Sequence, residues 1–340
     1  WRAILPAPLP AREGSGVGPS GLSANDRFVH FFAAATQLKT VVAQPLNSRL
    51  VEQGGAMSHR PVLGGNSPIG FESQFPTATI SMISASATLV EQLANDGSET
   101  VVSHGSGCFW RHQGVVYLLT ARHVLSGRSP FDDSILSPTG YIPQRFRVYP
   151  MLNLGSGQLA RTMTNVSVPN EHSFLQDPKF ADLRTDIAAL ACMTDPDGVI
   201  NCLNDAHEIF EDVFTHVGME CAIVGYPTNH FGNLMMPVWR RGAIASEPLL
   251  PVDDKPMFLL DASTSPGFSG APVFRRHIGP LPQLQSDGSL NILADRVMTT
   301  SFVGIYAGRL QHPHFGGEVP YVFYANRIPA IFSSVPNVSA

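Results

Sequence analysis

Thr264-Ser-Pro-Gly-Phe-Ser-Gly-Ala-Pro-Val-Phe274 is the stretch around which the chain is organised. Ser269 lies between Gly267 and Gly270, and an apolar run typical of a strand follows at once. Glycine lets the backbone turn sharply, so a serine here can present its hydroxyl to a substrate carbonyl while neighbouring N–H groups bind the oxyanion that forms. Ser-Gly pairs also occur in ordinary turns before a strand, so this stretch alone leaves both interpretations open.

The composition favours a β-rich globular protein. The chain has 340 residues, of which 44% are hydrophobic and only 14% are charged, and it contains 30 glycines and 28 prolines. Such a chain can bury a sizeable core, and its many turn residues favour short strands over long helices. The net charge is −5, there is no basic block, and Arg240-Arg241 and Arg275-Arg276 are isolated pairs, so we expect no nucleic-acid partner.

The sequence gives no sign of a membrane or secretory segment. No apolar run approaches the ~18 residues that a membrane span needs, and no charged start leads into a long apolar stretch. The four cysteines are spaced without a metal-binding pattern, which favours free thiols in a reducing compartment, with two disulfide bridges as the alternative. We therefore expect a cytoplasmic protein with no membrane partner.

Strand signals crowd together from Thr77 onward. The runs predicted as strands are Thr79–Ser84, Gly105–Trp110, Val115–Thr120, Phe146–Tyr149, Asn165–Val168, Ile187–Cys192, Cys221–Val224, Ala243–Ala245, Met257–Leu260, Ala271–Phe274, Phe302–Ile305 and Tyr321–Tyr324. His112-Gln-Gly114 predicts a hairpin turn, His207–His216 a short helix, and residues 275–298 a long surface loop. Short strands without alternating long helices predict barrels or sandwiches rather than a parallel sheet.

A serine hydroxyl needs a base within hydrogen-bond reach, and that base needs a third group to orient it. Among twelve histidines, His123 stands out because it follows the apolar strand that ends in Leu118-Leu-Thr120. Asp186 directly precedes the apolar run Ile187–Leu190, and a carboxylate held so close to the core needs a partner such as an imidazole N–H. Asp182 is a rival, but it is not adjacent to that run.

The chain order His123, Asp186, Ser269 resembles that of the trypsin-like (chymotrypsin-fold) serine peptidases. The resemblance rests on Leu-Thr-Ala-Arg-His-Val, Thr-Asp-Ile-Ala-Ala-Leu and Ser-Pro-Gly-Phe-Ser-Gly-Ala-Pro-Val-Phe, and it extends over about residues 77 to 333. It is closest to bacterial-type members related to glutamyl endopeptidases. It implies an all-β fold of two six-stranded antiparallel β-barrels with the active site in the cleft between them.

The resemblance also implies a role for each site residue. Ser269 would be the nucleophile, His123 the general base, and Asp186 the group that orients it, while the N–H groups of Gly267 and Ser269 would form the oxyanion hole. Substrate-binding positions would be Ser263, Thr264, Tyr306 and Gly308, with Ser263 at the pocket floor. The substrate would be a protein or peptide, and no metal or organic cofactor is expected.

Several positions depart from the digestive members of the family. Phe268 precedes Ser269, so an ion pair with a newly cut N-terminus cannot form. Cys108 matches one half of a family disulfide, but Val124 occupies the other half. Tyr306 replaces the histidine with which glutamyl endopeptidases receive an acidic side chain. Ala307 replaces the serine that usually braces the aspartate, which would weaken the triad.

The predicted organisation is a flexible N-terminal extension over 1–76, an N-terminal barrel over 77–205 and a C-terminal barrel over 206–340. Self-cleavage is possible within the extension. Three other interpretations remain open: an α/β-hydrolase, whose Ser-Asp-His order differs; a metal site, for example at His104, Cys108 and His112; and a peptidase fold used for binding or regulation with little or no turnover.

Overall fold

The computed structural model describes residues 69–70, 80–155, 158–206, 215–227, 235–284, 287, 289–293, 298–312, 317–333 and 335. Its strands are β1 Ile69–Gly70, β2 Ala87–Leu93, β3 Val101–His112, β4 Val115–Thr120, β5 Arg145–Val148, β6 Met151–Gly155, β7 Gln158–Arg161, β8 Thr164–Ser167, β9 Leu175–Gln176, β10 Ala188–Thr194, β11 Glu220–Gly225, β12 Val238–Ile244, β13 Met257–Asp261, β14 Pro272–Ile278, β15 Leu281–Leu284, β16 Leu290–Leu293, β17 Met298–His312 and β18 Gly317–Tyr324.

The α-helices are short: α1 Met82–Ser86, α2 Arg122–Ser126, α3 Phe180–Leu183 and α4 Ile328–Phe332. Among the described residues, no helix is long and apolar enough to cross a membrane. The four cysteines are free, as predicted, and three of them are buried. Packing between sheets, rather than helical structure, therefore forms the frame of the molecule.

Two antiparallel sheets make up this frame. The first is a curled seven-stranded sheet in the order β8-β5-β2-β3-β4-β10-β9, and the second is a closed six-stranded barrel in the order β11-β12-β13-β18-β17-β14. A small three-stranded sheet, β1-β7-β6, and a two-stranded ribbon, β15-β16, complete the described sheets. The predicted all-β, two-barrel class is confirmed, although the first sheet has seven strands rather than six.

The predicted hairpin between β3 and β4 is also confirmed. Cys108 pairs with Leu119 and His112 with Val115, so Gln113 and Gly114 form a two-residue turn. Both turn residues have positive φ, at 49° and 74°. Such a turn matches the right-handed twist of the two strands it joins. The hairpin thus fixes where β4 begins and its register with β3, and β4 leads into the segment with His123.

Part of the predicted organisation lies outside the described residues. The N-terminal extension over 1–76 is described only at Ile69–Gly70, which pair with Arg161 and Ala160 of β7. The predicted helix at His207–His216 falls mostly on residues 207–214, which are not described. The predicted boundary between 205 and 206 falls in the segment that joins β10 to β11.

The predicted strand at Thr79–Ser84 is wrong, because Met82–Ser86 form the helix α1 and the strand starts at Ala87. Alternating serines suggested a strand with one exposed face. However, Ser84 and Ser86 are both buried, and each hydroxyl has a partner. Ser84 accepts a hydrogen bond from Trp239 Nε1 at 2.8 Å, and Ser86 donates to the Ile83 carbonyl at 3.0 Å. Polar side chains with buried partners therefore gave a false signal of exposure.

The predicted surface loop over residues 275–298 is also wrong. Strand β14 continues to Ile278, the ribbon β15-β16 follows, and β17 begins at Met298. Leu281 pairs with Leu293 and Leu284 with Leu290 in this ribbon. The polar and turn-rich composition of residues 275–298 as a whole suggested a loop, but the segment contains two short strands that pair through their main chains.

A shared apolar layer joins the two sheets. Leu119 and Ala189 of the first sheet belong to the same buried cluster as Val224, Phe274 and Phe323 of the barrel.

The C-terminal helix α4 closes the end of this layer. The ring of its Phe332 lies 6.4 Å from that of Trp110, 4.8 Å from that of His112 and 5.1 Å from that of Tyr117. The removal of this apolar surface from water is the main contribution that stabilises the packing of the two sheets.

Candidate active site

His123 lies in the short helix α2, directly after the end of β4 at Thr120. The helix is stopped by Gly127, whose φ of 66° is in the left-handed region and whose N–H donates to the His123 carbonyl. The side chain of His123 is 16% exposed and lines a cleft. The end of a core strand and a one-turn helix therefore deliver the imidazole to the surface of the cleft.

Asp186 contacts His123 through both of its carboxylate oxygens. Oδ2 lies 2.6 Å from His123 Nδ1, and Oδ1 accepts the backbone N–H of His123 at 2.8 Å. The Asp186 side chain is fully buried. An ionised carboxylate can only accept hydrogen bonds, so Nδ1 of His123 carries the proton. In neutral His123, Nε2 is then the ring nitrogen that can accept a proton.

The environment of His123 favours its protonated form. Burial by itself lowers the pKa of the imidazole, but the charge of Asp186 and its hydrogen bond outweigh burial and raise the pKa above the ordinary value of 6.5. An opposite charge at hydrogen-bond distance stabilises the imidazolium. His123 is therefore equipped to hold a proton transferred from a neighbour.

The segment before Asp186 is anchored by a partly buried ion pair. Asp177 accepts hydrogen bonds from Arg327 Nε and Nη2 at 2.8 and 2.7 Å, and from the Thr185 hydroxyl at 3.2 Å. Arg327 follows β18 of the barrel, so this pair ties the segment with Asp186 to the other sheet. Ala307 offers no hydroxyl to Asp186, and the aspartate is held by the backbone N–H of His123 instead.

Ser269 sits on a turn whose backbone geometry requires glycine. Gly267 has φ of 94° and Gly270 has φ of 88°, both in the left-handed region. The Phe268 carbonyl accepts the N–H of Ala271 at 2.8 Å. Since the carbonyl and N–H of one trans peptide point in opposite directions, the N–H of Ser269 points away from that contact.

The N–H groups of Gly267 and Ser269 have no hydrogen-bond acceptor in the part of the chain that the structure describes. Gly267 is buried, and an unpaired buried N–H is rare in a folded protein. Two such donors on a serine turn are what a developing oxyanion needs. The predicted pair of donors thus has the free hydrogen-bonding capacity that its proposed role demands.

His123 and Ser269 line one cleft of about 360 Å³ between the first sheet and the barrel. Within the described residues, no hydrogen bond joins the Ser269 hydroxyl to the imidazole. Contacts of this kind are often long in substrate-free sites and tighten when substrate binds. The arrangement brings the Ser269 hydroxyl and the His123 imidazole to a single surface.

The predicted substrate-binding residues do not all reach this cleft. Tyr306 and Gly308 line it, and the Tyr306 hydroxyl lies 2.8 Å from the Thr264 hydroxyl. Ser263 is exposed, and its carbonyl and hydroxyl oxygens are bound by Arg240 of β12. The structure therefore places Ser263 outside the cleft rather than at its floor, because Arg240 holds it on the outer surface.

Sequence reasoning missed other residues at the site. Tyr321 of β18 lines the cleft opposite Gly308, and Phe131 packs its ring 5.8 Å from that of Tyr321. Arg309 and Glu318 form an ion pair at the rim. Burial raises the pKa of Tyr321, and the nearby charge of Asp186 raises it further. None of these positions carries a local pattern, since chain segments far apart in sequence bring them together.

The alternative metal site finds no support among the described side chains. They contain no group of three His, Cys, Asp or Glu residues that could hold a metal ion, and this includes His104, Cys108 and His112. The spacing of these three residues places them along one strand, β3, and not around a common point.

Comparisons with known proteins identify the family. A family model described as "Trypsin-like peptidase domain" matches residues 105–279, slightly more than half of the chain. Among solved structures, the crystal structure of a thermostable serine protease, AL20, from an extremophilic microorganism is 13% identical, with a TM-score of 0.41 over 74% of this chain and 97% of that chain. Among curated proteins, none matches this chain. The family assignment therefore rests on the family model.

The Ser269 turn predicts that Gly270→Ala is far more damaging than Gly97→Ala. Both glycines have φ of 88°, so the backbone strain of alanine is the same, about 1–2 kcal/mol. A Cβ at Gly97 meets open space, whereas one at Gly270 would overlap the Thr120 hydroxyl and the Ser106 carbonyl oxygen. We expect Gly270→Ala to lower the free energy of unfolding by about 2 kcal/mol more than Gly97→Ala, measured by chemical denaturation. Equal losses would contradict the described packing.

Proposed function

The chain belongs to the trypsin-like peptidase domain family, and on this premise we propose that it is a serine endopeptidase that hydrolyses peptide bonds through an acyl-enzyme intermediate. The observation that carries the proposal is the 2.6 Å contact between His123 and buried Asp186 on the cleft that also holds Ser269. A base oriented in this way beside a glycine-flanked serine matches the needs of nucleophilic catalysis.

In the proposed mechanism, the Ser269 hydroxyl attacks the carbonyl carbon of the scissile peptide bond while His123 Nε2 accepts its proton. The N–H groups of Gly267 and Ser269 bind the oxyanion of the tetrahedral intermediate. When the intermediate collapses, the C–N bond breaks and His123 returns the proton to the leaving amine. A water molecule then attacks the acyl-enzyme with His123 as base, which releases the acid and restores Ser269.

The electrostatics of the site support this assignment. Asp186 raises the pKa of His123, so the imidazolium that forms during attack is stabilised within the buried site. Both carboxylate oxygens contact His123, which fixes the ring as well as its tautomer. Asp186 thus both orients the imidazole of His123 and stabilises its charged form, as the triad mechanism of acyl transfer requires.

The substrate class of the proposal is a protein or peptide, and no cofactor is invoked. We propose that the substrate residue next to the cleaved bond contacts Thr264, Tyr306 and Gly308. The hydroxyls of Thr264 and Tyr306 lie 2.8 Å apart, and Tyr306 and Gly308 line the cleft. A finer relation to glutamyl endopeptidases is supported by the Ser263-Thr264 pair. Tyr306 in place of a histidine argues against a preference for acidic residues.

The proposal is tested by hydrolysis of denatured casein with the wild type, Ser269→Ala and Ser265→Ala. Ser265 also lines the cleft, but it is not flanked by the two glycines, so it serves as a matched control. We expect Ser269→Ala to reduce the rate by about 10⁴-fold or more and Ser265→Ala to retain most of it. A folded wild type that cuts no protein would instead favour a binding or regulatory module on a peptidase fold.

The same experiment tests self-cleavage within residues 1–76. If the enzyme processes itself there, the wild type loses N-terminal residues over time, whereas Ser269→Ala keeps them. Mass spectrometry of both proteins during the casein reaction gives the result. A wild-type N-terminus that stays intact while casein is cut would contradict self-cleavage and leave the peptidase assignment standing.

The Asp186 contact predicts how activity depends on pH. His123 must be neutral to act as a base, so kcat/KM should fall as the pH drops through its raised pKa, with a midpoint above 6.5. Asp186→Asn removes the charge that raises this pKa and leaves burial, which lowers it. The midpoint should therefore move to lower pH, while kcat falls by about 10⁴-fold.

Asp182→Asn is the control for this pH profile, because Asp182 is an exposed carboxylate four residues earlier in the chain. We expect its profile to match that of the wild type. An acid midpoint that stays in place in Asp186→Asn, or that moves equally in Asp182→Asn, would show that Asp186 is not the partner of the catalytic base.

A further inference from the structure

Ser106 is a residue of the first sheet that contacts the Ser269 turn of the barrel. It lies in β3 and has no exposed surface. Its neighbours Gly105 and Gly107 leave the main chain of β3 bare at this point, and a Cβ on Gly105 would lie 3.0 Å from the Ser269 carbonyl oxygen. The backbone of β3 therefore contacts the backbone of the Ser269 turn directly. Between Gly105 and Gly107, Ser106 is the only residue with a side chain.

Ser106 binds two carbonyls of the turn at once. Its N–H donates to the Ser269 carbonyl at 2.7 Å, and its hydroxyl donates to the Gly267 carbonyl at 2.7 Å. Gly267 and Ser269 are two residues of the turn whose N–H groups have no hydrogen-bond acceptor among the described residues. One buried residue thus holds the carbonyl of each residue that provides a proposed oxyanion donor.

The direction of the Ser106 hydroxyl is itself fixed. The Tyr226 N–H donates to Oγ at 2.8 Å, so the oxygen already accepts a hydrogen bond and its hydrogen is directed to Gly267. The Ser106 carbonyl accepts the Thr120 hydroxyl at 2.6 Å, which anchors the residue from its other side. A hydroxyl with one donor and one acceptor partner in a dry interface has a single favoured orientation.

We propose that Ser106 is a positioning residue that holds the Gly267–Ser269 loop with its two N–H groups directed into the cleft. The inference rests on the proposed function of Ser269. Without the hydroxyl, the Gly267 carbonyl and the Tyr226 N–H lose their partner in a buried site, and the loop gains freedom to rotate its peptides toward other partners. Misplacement of an oxyanion donor by even 1 Å can cost about 100-fold in rate.

The test compares Ser106→Ala with Ser106→Cys and Ser86→Ala. Cysteine keeps the shape of the side chain but is a weak donor, and Ser86 is an equally buried serine that bonds away from the site. The readouts are kcat and KM for a peptide substrate and the second-order rate constant of Ser269 with a fluorophosphonate, whose phosphoryl oxygen requires the same donors.

We expect Ser106→Ala to lower kcat and the fluorophosphonate rate by about 10- to 100-fold with little change in KM. Ser106→Cys should lose less, and Ser86→Ala should stay within about twofold of the wild type. The acid midpoint of the pH profile should not move, because His123 and Asp186 keep their contacts. A Ser106→Ala protein with the wild-type rate, or with a shifted acid midpoint, would overturn the assignment.

Hydrogen exchange separates this inference from the proposed function. The N–H of Gly270 donates to the Tyr306 carbonyl and that of Ala271 to the Phe268 carbonyl, both at 2.8 Å, so both amides report order in the turn. If the wild type does not react at Ser269, the proposed function fails, but faster exchange at these amides in Ser106→Ala still supports the holding role. Unchanged exchange would overturn it. If the alanine variant does not fold, Ser106→Cys gives the same comparison.

Discussion

The backbone of β3 packs against the turn that carries Ser269 so closely that Gly270 has no room for a side chain. A Cβ on Gly270 would overlap the Ser106 carbonyl oxygen, and a Cβ on Gly225 would come within 2.7 Å of the Ser106 hydroxyl. This close contact depends on the apolar layer that joins the two sheets, since that layer sets their separation. The Ser269 turn therefore takes its shape from the opposite sheet as much as from its own.

The charged residues of the site are also stabilised by contacts between the two sheets. A fully buried carboxylate such as Asp186 is costly unless it is paired and hydrogen-bonded, and both of its oxygens contact His123. The segment that delivers Asp186 is in turn tied to the barrel by the Asp177–Arg327 pair. Each sheet thus supplies one part of the chemistry and stabilises the part that the other sheet supplies.

Local sequence was sufficient to predict the residues that lie at strand ends. His123 follows β4, Asp186 precedes β10, and Ser269 lies on a turn flanked by two glycines of positive φ. The β3–β4 hairpin could likewise be predicted, because its turn residues are adjacent in the chain. In each case the signal and the structure it specifies lie within about ten residues of each other.

What could not be predicted depends on partners far away in the chain. Ser84 looks exposed in an alternating pattern but is buried, and its hydroxyl accepts a hydrogen bond from Trp239 Nε1. Ser263 matched a pocket position, yet Arg240 holds it outside the cleft. Ser106 stood in a glycine-rich strand with no visible role, because its partners Gly267 and Ser269 lie some 160 residues later.

If Ser269 is an activated nucleophile, it will react covalently with a fluorophosphonate. The full chain and its Ser269→Ala variant would be treated with a fluorophosphonate at neutral pH, and the modified peptide would be identified by mass spectrometry. We expect a single adduct on Ser269 that is absent from the variant. A folded wild type that remains unlabelled, or that is labelled at another residue equally in both proteins, would show that Ser269 is not an activated nucleophile.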